Sequence, residues 1–429
     1  MSNAPQFLLI DGSYFMFYRY FALLQWWKLA KPDSELPEDP YQCKEFVEKF
    51  ENPQQEEQAQ KPNPQGVMAS DPLGQNEVFQ FLNNEKPKGC QSCWDLEDSG
   101  SQSTRHIGKD MDWYIEEEQA RKITNSDFTI DNDKLRCIEL RFENVCNLMC
   151  RHCSPEFSSQ WEKAVKTDND LYEGSKHNIG SRAFSNTRLP GDIIDEVTTF
   201  KGLTHIMIAG GEPLYHNKHY KFLEDLQHRA ENITLDYNSN LTLLEYKGKS
   251  IIDLWKNFKE INIRVSLDGD RHCYNYVRAK GDIDKVEQNV KIVQSELDNL
   301  WMTMTCTVSN YNITRLCKIF DYFLSLDSSV HTSLVQYPDP LNPKCLPNEL
   351  KLQITEEFNA YYNDKKVSDI SKKDLSRIKH YGYNVINYMN SEDRFEKDWK
   401  HFVSYTKAQD KYHKTNVLDV YPEFQPYWY

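Results

Sequence analysis

The chain has 429 residues, 51 basic against 65 acidic side chains for a net charge of −14, and eleven cysteines. That length allows two or three domains with ample core, and a mean hydropathy of −0.74 excludes a polytopic membrane protein. The acidic balance argues against nucleic acid as a partner, and an odd, clustered cysteine count without a basic leader points to a reducing, cytoplasmic setting.

In chain order, residues 7–10 read as a short buried strand ended by Asp11-Gly12-Ser13, and 14–29 as a helix stopped by Pro32. Residues 51–76, poor in apolar side chains and rich in Pro and Gln, read as a linker. Ordered sequence resumes near Glu77, with the pair Cys90 and Cys93 and a helix expected over 113–122. From Arg136 onward, strands are expected at 137–142, 205–209, 233–237, 261–267, 301–308 and 332–337. Between them, Ile283, Val286, Val290, Val293 and Leu297 recur at helical spacing, as do Leu316, Ile319, Phe320 and Phe323. Phe395, Trp399, Phe402 and Val403 mark a further amphipathic helix near the C-terminus. Six alternations of strand and helix predict an α/β fold with a parallel sheet, open or closed into a partial barrel. Cys137, Cys306 and Cys317 are expected on apolar faces as buried, inert thiols.

Cys146-Asn-Leu-Met-Cys150-Arg-His-Cys153 is the strongest chemical signal. A Cys-x3-Cys-x2-Cys triplet arises by chance in about 0.7% of chains of this composition, so coincidence is a poor explanation. Zinc prefers four ligands, usually from two paired knuckles, and His152 or a distant residue would have to complete the set. Thiolates suit iron–sulfur clusters, and three on one loop leave one iron of a [4Fe-4S] cluster without a protein ligand. An open position is what a catalytic metal needs. The loop follows the first strand of the α/β region, at the strand ends where such sheets bind ligands.

The motif in that place resembles the signature of the radical S-adenosylmethionine (radical SAM) enzymes. The resemblance implies a partial (β/α)6 barrel of the radical SAM type with small N-terminal appendages. Cys146, Cys150 and Cys153 would hold a [4Fe-4S] cluster, and SAM would chelate its open iron. One-electron reduction by an external donor would then cleave SAM to a 5′-deoxyadenosyl radical that takes hydrogen from a substrate. Further segments agree in order. Gly210-Gly211-Glu212-Pro213 is similar to the family's Gly-Gly-Glu-Pro motif and would receive the SAM ammonium. Asn238-Ser239-Asn240 resembles the Thr-Asn-Gly segment near the ribose, with the residue types exchanged. Ser266-Leu267-Asp268-Gly269 resembles a Ser-Leu-Asp-Gly segment from which Ser266 and Arg278 would reach ribose or carboxylate. Asn310 would line the adenine side, and His152 holds a place often given to an aromatic beside adenine. The likeness spans residues 136–345.

The region from Phe81 to Arg105, with Cys90 and Cys93, is similar to the second half of a "twitch" module. In one radical SAM subgroup that module binds an auxiliary iron–sulfur cluster, so this pair is a candidate for a second one. Asp11 in its Asp-Gly-Ser turn resembles the first Mg²⁺ ligand of PIN-like 5′–3′ exonucleases, in a stretch too short for the other carboxylates such enzymes need. The implied organisation is an incomplete exonuclease-like fragment (1–50), a linker (51–76), a partial twitch-like module (77–130), a radical SAM core (131–345) and a C-terminal helical extension (346–429). The leading expectation is a radical SAM enzyme with SAM as partner and a peptide favoured as substrate, the substrate class being family analogy. The alternatives are a metal-dependent nuclease and a zinc-binding interaction protein.

Overall fold

The computed structural model describes residues 91–98, 119, 122–123, 131–175, 191–335, 339–366, 368 and 370–429. The chain divides into two compact units, Met1–Lys134 and Leu135–Tyr429. The expected exonuclease-like fragment with Asp11, the linker and Cys90 lie outside the described residues. In the first unit a helix, Gln91–Asp98, carries half-buried Cys93 beside buried Trp94.

In the second unit, six parallel strands lie side by side in chain order: β1 (Cys137–Arg141), β2 (His205–Ala209), β3 (Thr234–Ser239), β4 (Glu260–Ser266), β5 (Leu300–Val308) and β6 (Ser329–Leu334). Each connection returns the chain to the same end of the sheet, so every strand's carboxyl end lies on one rim. The helices used below are α1 (Ser159–Thr167), α2 (Asn217–Leu226), α3 (Ile283–Glu296), α4 (Leu316–Ser325), α5 (Asn348–Lys366), α6 (Lys372–Asn390) and α7 (Phe395–His413). The spacing of three and four seen in the sequence puts Val286, Val290 and Val293 of α3, and Ile319, Phe320 and Phe323 of α4, in the core. Among the described residues no helix is long and apolar enough to cross a membrane.

Strand alternation separates two faces of the sheet. Leu140, Ile206, Ile208, Leu235, Ile263, Val265, Met304, Cys306 and Val330 are buried on one. The other carries Glu139, Asp236, Asn262, Arg264, Ser266, Thr305, Thr307 and His331 in matching register. Cys137 has the parity of Glu139 and is half-buried, so it lies on the polar face; the expectation of a buried apolar position fails there because the strand's phase sets the face. β6 starts three residues earlier than expected. Pairing of Ser329 with Thr303 through Leu334 with Val308 sets its register. The C-terminal residues belong to the same compact unit as the sheet. Trp399 and Phe402 of α7 pack on Phe424, and Tyr405 of α7 stacks on Trp161 of α1.

Candidate active site

The cysteine loop runs from the end of β1 into α1 and is fixed at both ends. Glu143 and Val145 accept from the Gly211 and Glu212 amides, at 3.1 and 2.8 Å. Asn144 accepts from the Ser159 amide at 2.8 Å, where α1 begins. In the middle, Met149 and Cys150 pair antiparallel with Ala279 and Arg278. The Cys150 carbonyl accepts from Trp161 Nε1 at 2.8 Å, and Ser158 Oγ donates to Leu148 O at 2.8 Å while capping α1. Cys146 and Cys150 are buried around Leu148, with Cys153 packed against them.

Arg151, between two of the cysteines, is wholly buried. Its Nε donates to Tyr276 O at 2.7 Å, and its Nη2 donates to Thr415 Oγ1 at 2.6 Å and pairs with Asp410 at 3.0 Å. The guanidinium stacks 3.7 Å from the Tyr276 ring centre. Its carbonyl accepts from Tyr405 and Gln409 of α7 at 2.6 and 3.1 Å. The C-terminal helix therefore holds the loop from behind, a role that neither residue type nor local spacing reveals.

The Gly210-Gly211-Glu212 turn docks on the front of the loop. Gly210 has φ +118, and a Cβ on Gly211 would lie 2.2 Å from Val145 O, so neither position admits a side chain without a backbone shift. Glu212 is buried, and its carboxylate accepts from Leu214 N, Ser239 Oγ and Asn240 N at 3.1, 2.8 and 2.7 Å. Burial raises its pKa against the pull of those three donors. Asn240 Nδ2 donates to Asn147 Oδ1 at 2.9 Å, and Asn147 Nδ2 donates to Thr242 Oγ1 at 2.7 Å. The cysteine loop, the Gly-Gly-Glu turn and the end of β3 thus form one hydrogen-bonded unit.

At the end of β4, Asp268 is fully buried with φ +56, a left-handed conformation costing about 1 kcal/mol for a residue with a Cβ. Its carboxylate pairs with Arg278, accepts from Thr307 N at 2.6 Å and lies 3.2 Å from His152 Nε2. Burial opposes the charge, but Arg278, His152 and the Thr307 amide outweigh it and hold Asp268 well below the carboxylate range.

Of the residues the sequence singled out, Cys146, Cys150, Cys153, His152, Gly210, Gly211, Glu212, Ser239 and Arg278 belong to this connected set. Asn238 is exposed on the polar face of β3, and Ser266 is half-buried on that face of β4. Asn310 is turned toward the 340–345 loop, donating to Pro340 O at 2.9 Å and Cys345 Sγ at 3.0 Å. Asn147, Arg151 and Asp268 are the participants that sequence reasoning left without a role. Asp268 was legible as part of its motif; Arg151 depends on contacts more than 250 residues away.

The donor set fits an iron–sulfur cluster. Burial pushes all three thiols up, Cys153 to about 12, and Cys150 raises both Cys146 and Cys153 further. Three buried sulfurs that hinder one another's ionisation need a cationic group to become thiolates, and soft thiolates favour iron–sulfur chemistry. Among the described residues no three His, Cys, Asp or Glu are arranged around a single metal ion; cluster thiolates each take a different iron. Arg278 Nε and His152 Nδ1 are buried at the site without a partner among the described residues, as a site for a polar cofactor requires.

The profile of the Radical SAM superfamily matches residues 140–322. Similar solved structures include native anSMEcpe with bound AdoMet, at 14% identity and TM-score 0.37 over 54% of this chain and 62% of that one. TYW1 with a lysine-pyruvate adduct bound gives 16% and 0.29 over 56% and 80%. Streptococcus suis SuiB bound to precursor peptide SuiA gives 11% and 0.34 over 75% and 58%. The chain thus spans about three fifths of the length of anSMEcpe and SuiB. No curated protein matches the chain.

Proposed function

We propose that the chain, whose residues 140–322 match the Radical SAM superfamily model, is a radical SAM enzyme acting on a polar substrate, a peptide being favoured. The observation that carries the reading is the single hydrogen-bonded unit joining Cys146–Cys153, Gly210–Glu212 and Ser239–Thr242 at one rim of the sheet. When bound, the [4Fe-4S] cluster and SAM supply one-electron reductive cleavage of SAM and hydrogen abstraction from substrate, with the electron from an external donor.

The chain's own residues divide the remaining work. Cys146, Cys150 and Cys153 would hold a [4Fe-4S] cluster, with no fourth cysteine on the loop. The Gly210–Gly211 backbone and Glu212 would receive the SAM ammonium, while Ser239 and Asn240 hold the Glu212 carboxylate in place. Arg278, held by Asp268, presents a cation beside Cys150 for the SAM carboxylate. His152, positioned by Asp268, Ser266 and Asn238 border the same rim, and Asn310 backs it from the 340–345 side. Cys90 and Cys93 remain the candidate ligands of a second cluster.

Iron and sulfide counting on anaerobically purified protein tests the ligand set. About four of each per chain, lost in Cys146→Ala, Cys150→Ala or Cys153→Ala, is the expected result. Iron near eight, with half lost in Cys93→Ala, marks the second cluster. Full iron in all three core variants overturns the assignment.

A further inference from the structure

Beyond the cysteine loop, a second set of polar side chains lies on the polar face of the sheet. The register puts Ser266, Thr305 and His331 in one row across β4, β5 and β6, with Arg264 and Thr303 one step back. Adjacent parallel strands are about 4.8 Å apart, so His331 lies about 10 Å from Ser266 along that row. Thr303 Oγ1 is satisfied by Ser329 Oγ at 3.3 Å. Thr305 Oγ1 and His331 Nδ1 are buried and have no partner among the described residues. Two such atoms side by side would cost about 1–3 kcal/mol each if nothing ever bonded them.

The charged groups that act on His331 are all basic. The His331 ring packs edge-on against Tyr381 of α6, centroids 4.8 Å apart. Arg377 lies one turn before Tyr381 and therefore on the same side of α6. Neither Arg264 nor Arg377 has a hydrogen bond or ion pair with any described residue. Burial brings His331 down to about 4, and the charges of Arg264, Arg377 and His380 act in the same direction. Arg264 also acts on the Asp236 carboxylate, whose pKa burial raises against the pull of Arg264 and Asn262. Two half-buried guanidiniums without partners are rare unless an anion joins them, because an arginine fork matches two oxygens of one oxyanion.

We propose that Arg264 and Arg377, with Thr305 and His331 between them, form an oxyanion site on the polar face that holds a carboxylate or phosphoryl group of the substrate. The site deepens the enzyme reading and rests on it for the word substrate. Thr305 donates its hydroxyl hydrogen and neutral His331 donates Nδ1–H to the anion's remaining oxygens. The row through Ser266 places the bound group beside the cofactor rim, so the substrate's anionic end is anchored away from the cysteines while its other end faces them.

Calorimetric titration of the full chain, its cluster reconstituted anaerobically, with inorganic phosphate and with acetate at constant ionic strength tests the site. We expect one saturable oxyanion per chain, weakened about tenfold or more in Arg264→Gln and in Arg377→Gln. Lys379→Gln, which removes a charge from an exposed position of α6, should stay within about twofold of the parent. Tighter phosphate supports a phosphoryl group, and tighter acetate a carboxylate such as a peptide's C-terminus. No saturable uptake of either anion by the parent protein, or equal weakening in Lys379→Gln, overturns the proposal. Oxyanion binding by a protein that never cleaves SAM leaves this site standing and sinks the enzyme reading. SAM cleavage without oxyanion binding does the reverse.

Discussion

Around the cysteine loop the backbone is already bonded: carbonyls 143, 144, 145, 150 and 151 accept from three other elements of the chain, the Gly210–Glu212 turn, α1 and α7. A few strands away, on the polar face, Thr305 Oγ1 and His331 Nδ1 are buried with no partner among the described residues. The contrast separates two tasks. Cluster ligands must be held in place by the protein, so the surrounding bonds are closed in advance. A surface that recognises a transient ligand must leave some bonds open and bear their cost in stability.

That contrast breaks most visibly at Arg151. Arg151→Met should cost about 3–4 kcal/mol, because it strips Asp410 of its buried partner and releases the loop from α7. Thermal unfolding of apo-protein measures the loss, and iron retained after desalting should fall with it. Gly211→Ala comes next. Its Cβ would strike Val145 O at 2.2 Å, so about 2–3 kcal/mol and most of the iron should be lost, whereas Gly248→Ala, at φ +77 with nothing within 4 Å, should cost about 1 kcal/mol and no iron. Equal behaviour of the two glycines would mean that the turn does not brace the loop.

A pH effect of about the same size sits in the core. Burial lowers His219 to about 3 from 6.5, its Nε2 lying 2.8 Å from Tyr237 Oη. The unfolded chain therefore takes up this proton first as pH falls. The stability is fully present above about 6.5 and declines toward 3, about 2–3 kcal/mol having gone near pH 4.5. Urea midpoints between pH 7 and 4.5 should show this slope, and His219→Gln should flatten it. The smallest effect is expected on the polar face. Thr305→Val should change stability by no more than about 1 kcal/mol, and toward greater stability, since it removes an unpaired hydroxyl. A loss of 2 kcal/mol there would show that the hydroxyl is bonded after all.

The sheet and the cysteine loop were legible because both write themselves locally. Apolar strands recur in order, α3 and α4 carry their threes and fours, and the Cys-x3-Cys-x2-Cys spacing needs no tertiary information. The face of each strand was harder. Cys137 looked apolar by neighbourhood, yet its parity with Glu139 puts it on the polar side. Arg151 and Tyr405 are 254 positions apart, and no periodicity links a loop to a helix at that distance. The row of Ser266, Thr305 and His331 likewise exists only through the register of β4, β5 and β6.

The most direct measurement is 5′-deoxyadenosine formation by the reduced, anaerobic protein supplied with SAM. The account predicts 5′-deoxyadenosine and methionine in equal amounts from the parent chain, and none from Cys150→Ala. An undiminished yield from Cys150→Ala, or none from a parent protein carrying about four irons, would contradict it.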